Sequence, residues 1–126
     1  MKHKILLVED NEPIRENTTE LLEFGNYKVT TACNGEEGLN MALQQAPDLI
    51  LCDIQMPKMN GLHLLRTIRQ NDFLKNTFFV FLTASSEKKE IQMALEMGAN
   101  DYIVKPFTER ELLDKLKNLL GSLASL

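Results

Sequence analysis

The sequence has no tryptophan, only two cysteines, and no apolar run longer than the stretch from Phe78 to Leu82. A membrane-spanning helix needs about 20 consecutive apolar residues, so none is expected. Cys33 and Cys52 make neither a CxxC pair nor a disulfide framework, which fits a reducing cytoplasm. Positive charge is also short: 14 Lys and Arg stand against 18 Asp and Glu, a net charge of −4, with a pI near 5.2. No basic field is available to attract nucleic acid or an anionic membrane. The basic start Met1-Lys2-His3-Lys4 precedes only a short apolar run before Glu9, too little for a secretory signal. No glycine-rich phosphate loop follows that run, and the chain has no internal repeat and no low-complexity stretch.

What is present reads as one globular domain. At 126 residues, with 44% hydrophobic and 25% charged, a chain can bury about two-thirds of its unfolded surface. The expectation is one domain over residues 1–126, with Gly121 to Leu126 trailing the last helix as a tail or linker stub. Apolar runs alternate with helix-period segments five times, the signature of an α/β (βα)5 fold with a parallel sheet between two helical layers. The runs at Ile5, Leu49 and Phe78 are continuously apolar, as strands buried on both faces should be. Tyr27 to Ala32 carries Lys28, Thr30 and Thr31 and reads as an edge strand.

The helix signals are local. Pro13 suits a first turn after Asp10-Asn11, with Ile14, Thr18, Leu21 and Leu22 inward and Gly25 as the end. Asn34 with Glu37 has the form of a capping box for a second helix, which turns Leu39, Ala42 and Leu43 inward and stops at Pro47. Asn60 caps a third, with Leu62, Leu65 and Ile68 buried. Ser85 or Ser86 opens a fourth, carrying Ile91, Ala94 and Leu95 to Gly98. Thr108 and Glu111 form another capping box, and the fifth helix buries Leu112, Leu116 and Leu119.

Four apolar runs end in polar residues: Glu9-Asp10, Asp53, Thr83 and Lys105. Ligands of open α/β sheets bind just beyond the carboxyl ends of the strands, so these side chains are expected to converge. Glu9 and Asp10 would face opposite ways in a continuing strand, but at a turn into a helix both can reach one cavity. Three carboxylates together are unfavourable unless a cation sits among them, and hard oxygen ligands suit Mg²⁺, or Mn²⁺. Pro57 and Gly61 supply turn chemistry for a loop that wraps such a site. Thr83 alone would be a cap or turn residue. Lys105 closes a buried strand before Pro106, at a bond that permits a cis peptide, and needs the carboxylates as partners. His3 and His63 lack ligand spacing, and Cys52 reads as an inert core thiol. Met93 and Met97 read as core edge, or as partner surface if exposed.

The ordered set of Glu9-Asp10, Asp53 with Pro57 and Gly61, Phe81-Leu82-Thr83-Ala84, and the run from Gly98 to Phe107 resembles the receiver domain of two-component response regulators, the CheY-like family. The resemblance runs from Lys4 to about Leu120. It implies a flavodoxin-like three-layer fold with five-stranded sheet order 2-1-3-4-5. It makes Asp53 the acceptor of a phosphoryl group from a phosphohistidine on a sensor histidine kinase or phosphotransfer protein. Asp10, Asp53 and the Gln55 backbone carbonyl become Mg²⁺ ligands, with Glu9 acting through water. Lys105, the Thr83 hydroxyl and the Ala84 N–H would hold phosphoryl oxygens. Thr83 and Tyr102 would carry the switch to the face of the fourth helix, fifth strand and fifth helix, which meets an unnamed downstream target and is open to homodimerisation. Gln55 and Ser85 would tune the lifetime of the phosphoryl group. Such a domain assists its own phosphorylation and dephosphorylation but is not a turnover enzyme. A receiver-like module working by contact alone is the alternative. A haloacid-dehalogenase-like phosphatase would need a second Asp where this chain has Gln55.

Overall fold

A computed structural model describes residues 2–56, 58–84 and 88–124. The elements alternate as β1 (Lys4–Val8), α1 (Glu12–Phe24), β2 (Lys28–Ala32), α2 (Gly35–Gln45), β3 (Leu49–Asp53), α3 (Gly61–Gln70), β4 (Phe78–Thr83), α4 (Lys88–Glu96), β5 (Asp101–Val104) and α5 (Glu109–Ala124). All strand pairs are parallel, in the order β2-β1-β3-β4-β5. This is the CheY-like flavodoxin fold, with β2 at one edge as its polarity required.

Alternation along the strands divides the core. Ile5, Leu7, Leu49, Leu51, Val80 and Leu82 pack with Leu22 of α1 and Leu112, Leu116 and Leu120 of α5. The intervening Leu6, Val8, Ile50, Cys52, Phe79 and Phe81 pack with Ala42 of α2, Leu64, Leu65 and Ile68 of α3 and Ala94 of α4. Successive strand side chains point to opposite faces, so continuously apolar strands are required by a sheet covered on both sides.

Caps fix where the helices begin. Asn11, Asn34 and Asn60 each accept a hydrogen bond from the amide three residues on, at 2.9, 2.8 and 2.9 Å. Thr108 and Glu111 make the full reciprocal box, at 3.1 and 3.0 Å. Asn34 and Glu37 make only half of one, because the Glu37 carboxylate accepts from the Cys33 thiol at 3.1 Å. The cap expected at Ser85 or Ser86 lies outside the described residues.

Several packing expectations are corrected. Leu43 is 45% exposed, because α2 turns its small side, Gly35, Gly38 and Ala42, onto the sheet. Leu95 is 41% exposed and Ala94 alone is buried on α4, leaving Met93 and Leu95 among the polar residues of its outer side. Leu62 and Leu119 are half-buried, while their neighbours Leu64 and Leu120 reach the core. Gly25 does follow α1, but with φ −76; the left-handed residue is Asn26 at φ 71. Helix α5 does not end before Gly121 but continues to Ala124.

Candidate functional site

The candidate side chains Glu9, Asp53, Thr83 and Lys105 sit where strands stop. The Glu9 amide extends the ladder by donating to Ala32 O at 3.0 Å, which sends the Glu9 side chain inward, while Asp10 at the following bend is exposed. Asp53 is the last residue of β3, paired in register with Leu82. The Lys105 amide donates to Thr83 O at 2.8 Å, locking the end of β5 to the end of β4. The Lys105–Pro106 peptide is cis.

The side chains then meet. One ligand oxygen from each of Glu9, Asp10 and Asp53 lies within 4.8 Å of the others. The Lys105 ammonium donates to Glu9 Oε1 at 2.8 Å and to Asp53 Oδ2 at 3.2 Å. Burial is uneven: the side chains of Glu9, Asp53 and Lys105 are 1%, 14% and 17% exposed. Burial by itself lowers the Lys105 pKa. The hydrogen bond to Glu9 and the charges of Asp53 and Glu9 more than offset it, so the ammonium is held above its ordinary value. A cavity of about 290 Å³ opens beside this cluster, lined by Asp53, Gln55, Thr83, Ala84 and Lys105. Thr83 is buried at its wall.

The loop after β3 is held from both ends. Gln55 donates its amide toward Asp53 Oδ1 at 3.4 Å, and the Gly61 amide donates to Ile54 O at 2.7 Å. Lys58 takes the left-handed conformation at φ 64. A Cβ at Gly61 would fall on the Asp53 carbonyl oxygen, so this glycine is required by space. Pro57 and Ser85 lie outside the described residues.

Tyr102 does not enter the cavity lining. It is half-buried against the α3–α4 side of the core. The Lys115 ammonium stands 4.8 Å from its ring centroid and donates to Tyr102 O at 2.7 Å and Asp101 Oδ1 at 3.0 Å. Met93 on α4 is 50% exposed, which meets the condition for partner surface, whereas Met97 is half-buried. His3 is half-buried and His63 exposed.

Sequence reasoning missed Arg15. From α1 its guanidinium Nη1 reaches back to Glu9 O at 2.9 Å and Asp10 O at 3.5 Å. Only the reach of a long donor one turn into the helix could have flagged it.

The thiols behave differently. Burial pushes Cys52 well above the ordinary thiol pKa, helped by the charges of Asp53 and Glu9, whereas exposed Cys33 is raised through its hydrogen bond to Glu37. Iodoacetamide on the native protein is expected to give one adduct, at Cys33, faster as pH rises. A second adduct, at Cys52, should need denaturant. Peptide mapping that finds Cys52 labelled in the folded protein would contradict the burial.

The family described as "Response regulator receiver domain" matches residues 5–117. Response regulator ArlR of Staphylococcus saprophyticus is 41% identical over 117 residues, covering 93% of this chain and 52% of that protein. The alkaline phosphatase synthesis transcriptional regulatory protein PhoP of Bacillus subtilis is 38% identical over 120 residues, 95% of this chain and 49% of that protein. The chain thus spans about half the length of the curated relatives it matches. Among solved structures, Vibrio cholerae chemotaxis protein CheY4 superposes with a TM-score of 0.90 at 32% identity, over 95% of this chain and 100% of that one. A putative response regulator from Chloroflexus aurantiacus gives 0.92 at 33% identity, over 96% and 99%.

Proposed function

The chain belongs to the response regulator receiver domain family of two-component signalling, and from that membership we propose that Asp53 is its phosphoryl acceptor. The observation that carries the assignment is the Lys105 ammonium bridging Asp53 and Glu9 beside an open cavity. An Asp53 carboxylate oxygen attacks the phosphorus of a donor phosphohistidine. The P–N bond breaks, the imidazole leaves with the electron pair, and an aspartyl phosphate remains. The new group adds about −1.5 to −2 charges in a site already rich in carboxylate. Phosphoryl transfer asks a protein chiefly for positioning and charge neutralisation. Lys105 supplies one positive charge, with the Thr83 hydroxyl and Ala84 N–H at the cavity wall as further donors.

Glu9, Asp10 and Asp53 offer only hard oxygen atoms within 4.8 Å of one another, a donor set that fits Mg²⁺ and also Mn²⁺. Asp10, Asp53 and the Gln55 carbonyl would hold the ion directly, and Glu9 through water. When bound, it neutralises the carboxylates and the incoming phosphoryl oxygens.

Thr83, drawn toward the phosphoryl group, and Tyr102 on β5 carry the change to the α4-β5-α5 face, where Met93 and Leu95 are exposed. Moving such a switch from 1:99 to 99:1 takes about 5.5 kcal/mol, to which charge-assisted bonds to Lys105 and Thr83 contribute. Gln55 at the cavity and Ser85 after Thr83 tune how long the phosphoryl group survives. The partners are a sensor histidine kinase or phosphotransfer protein, a downstream target, and a second copy where the face self-associates. The domain assists its own phosphorylation without being a turnover enzyme. A cytoplasmic setting fits this role, and among the described residues no helix is long and apolar enough to cross a membrane.

The test is intact-protein mass after incubation with acetyl phosphate, with Mg²⁺ and with chelator. One phosphoryl group, dependent on metal and labile to base, is the expected result. No adduct from acetyl phosphate or a kinase, with no metal binding, would favour the contact-only module instead.

A further inference from the structure

Arg15 reaches the β1–α1 turn from α1, and its guanidinium bonds main-chain oxygens there rather than side-chain carboxylates. Nη1 donates to the main-chain oxygens of Glu9 and Asp10, at 2.9 and 3.5 Å. Among the described residues it forms no ion pair with a carboxylate. Its own amide donates to Asn11 O at 2.9 Å, so Arg15 grips the turn through both its backbone and its side chain. The Glu9 main chain is thus held on both sides of its Cα, its N–H by Ala32 O and its carbonyl by Arg15. Two consecutive peptide planes set where the Glu9 and Asp10 side chains start, and the guanidinium touches both.

We propose that Arg15 is a positioning residue: its guanidinium holds the main chain of Glu9 and Asp10 so that both carboxylates face one divalent cation. The proposal rests on the metal reading given above and deepens it. Two roles for Arg15 predict effects of opposite sign. If it acted only through its charge, removing a cation beside the cluster would tighten Mg²⁺ binding by relieving repulsion. If it positions the ligands, removal lets the turn relax and weakens binding. Partners that orient metal ligands are commonly worth 10–100-fold in affinity.

The experiment is an NMR titration of the metal-free protein with MgCl2, following amides of the β1–α1 turn and Asp53, beside thermal unfolding without metal. Arg15→Met should bind Mg²⁺ about tenfold more weakly than wild type with a similar unfolding temperature. Arg15→Lys, which keeps the charge and one donor, should fall between them. Equal or tighter binding in Arg15→Met overturns the proposal. So does weakening that only follows a fall in unfolding temperature in both variants. If wild type itself does not respond to Mg²⁺, the metal reading fails and this role with it; a responsive wild type with an unaffected variant sinks the role of Arg15 alone.

Discussion

Asp53→Asn is expected to take up no phosphoryl group from acetyl phosphate or from a kinase, yet to fold as wild type does. The amide has nearly the shape of the carboxylate, so the end of β3 and its pairing with Leu82 need not move. What disappears is the anionic nucleophile, and a neutral amide oxygen cannot replace it. The other carboxylates do not take over: Glu9 is buried and bonded to Lys105 at 2.8 Å, and neither it nor Asp10 lines the cavity. Stability should change modestly, because Lys105 loses only its longer contact, 3.2 Å to Asp53, and keeps the shorter one to Glu9. Without metal, the lost repulsion among carboxylates acts in the opposite direction. Mg²⁺ affinity should fall, since one of the two carboxylates proposed to hold the ion directly is gone. Intact mass and thermal unfolding on the same samples separate these effects. Labelling that persists in a folded Asp53→Asn would place the acceptor elsewhere.

The sheet was legible because burial on both faces writes itself into continuous apolar runs, and the convergence of the candidate residues because four of these runs end in polar residues. The pairing of Lys105 with the carboxylates was expected from sequence, but its geometry was not. That Lys105 bridges Glu9 and Asp53 depends on β5 being locked to β4 by the bond from Lys105 N to Thr83 O, a contact across strands with no local signature. Helix faces were harder. Leu43 and Leu95 fit a helical period, but α2 presents glycine and alanine to the sheet and α4 buries Ala94. Where small residues allow close approach, the larger side chain is left at the rim. Arg15 escaped for another reason: its bonds go to backbone carbonyls, and a main-chain acceptor leaves no mark on the residue types around it. Tyr102 shows the converse, since the sequence placed it on β5 but not the Lys115 ammonium over its ring.

Gly61→Ala should damage the site, because the added methyl has no room beside Asp53. The new Cβ would fall on the Asp53 carbonyl oxygen, and within 2.8 Å of Phe81 Cε1 and 2.9 Å of Ile54 Cα. Two of those atoms are backbone at the end of β3. The third belongs to a fully buried ring packed 5.0 Å from Phe79. None can retreat cheaply, so the loop must lift away and stretch the bond from Gly61 N to Ile54 O, now 2.7 Å. Overpacking of this kind destabilises by about 1–3 kcal/mol, occasionally more. A displacement of about 1 Å at a reacting group can slow chemistry on the order of a hundredfold, and here the shift falls on Asp53 itself. Gly121→Ala is the matched control: a Cβ there meets nothing within 4 Å, and alanine favours the helix by up to about 1 kcal/mol. Urea denaturation and the rate of phosphoryl uptake should therefore separate the two variants, with losses in both measures only at Gly61. If Gly61→Ala folds and labels like Gly121→Ala, the close approach of α3 to the Asp53 carbonyl is not what holds the acceptor in place.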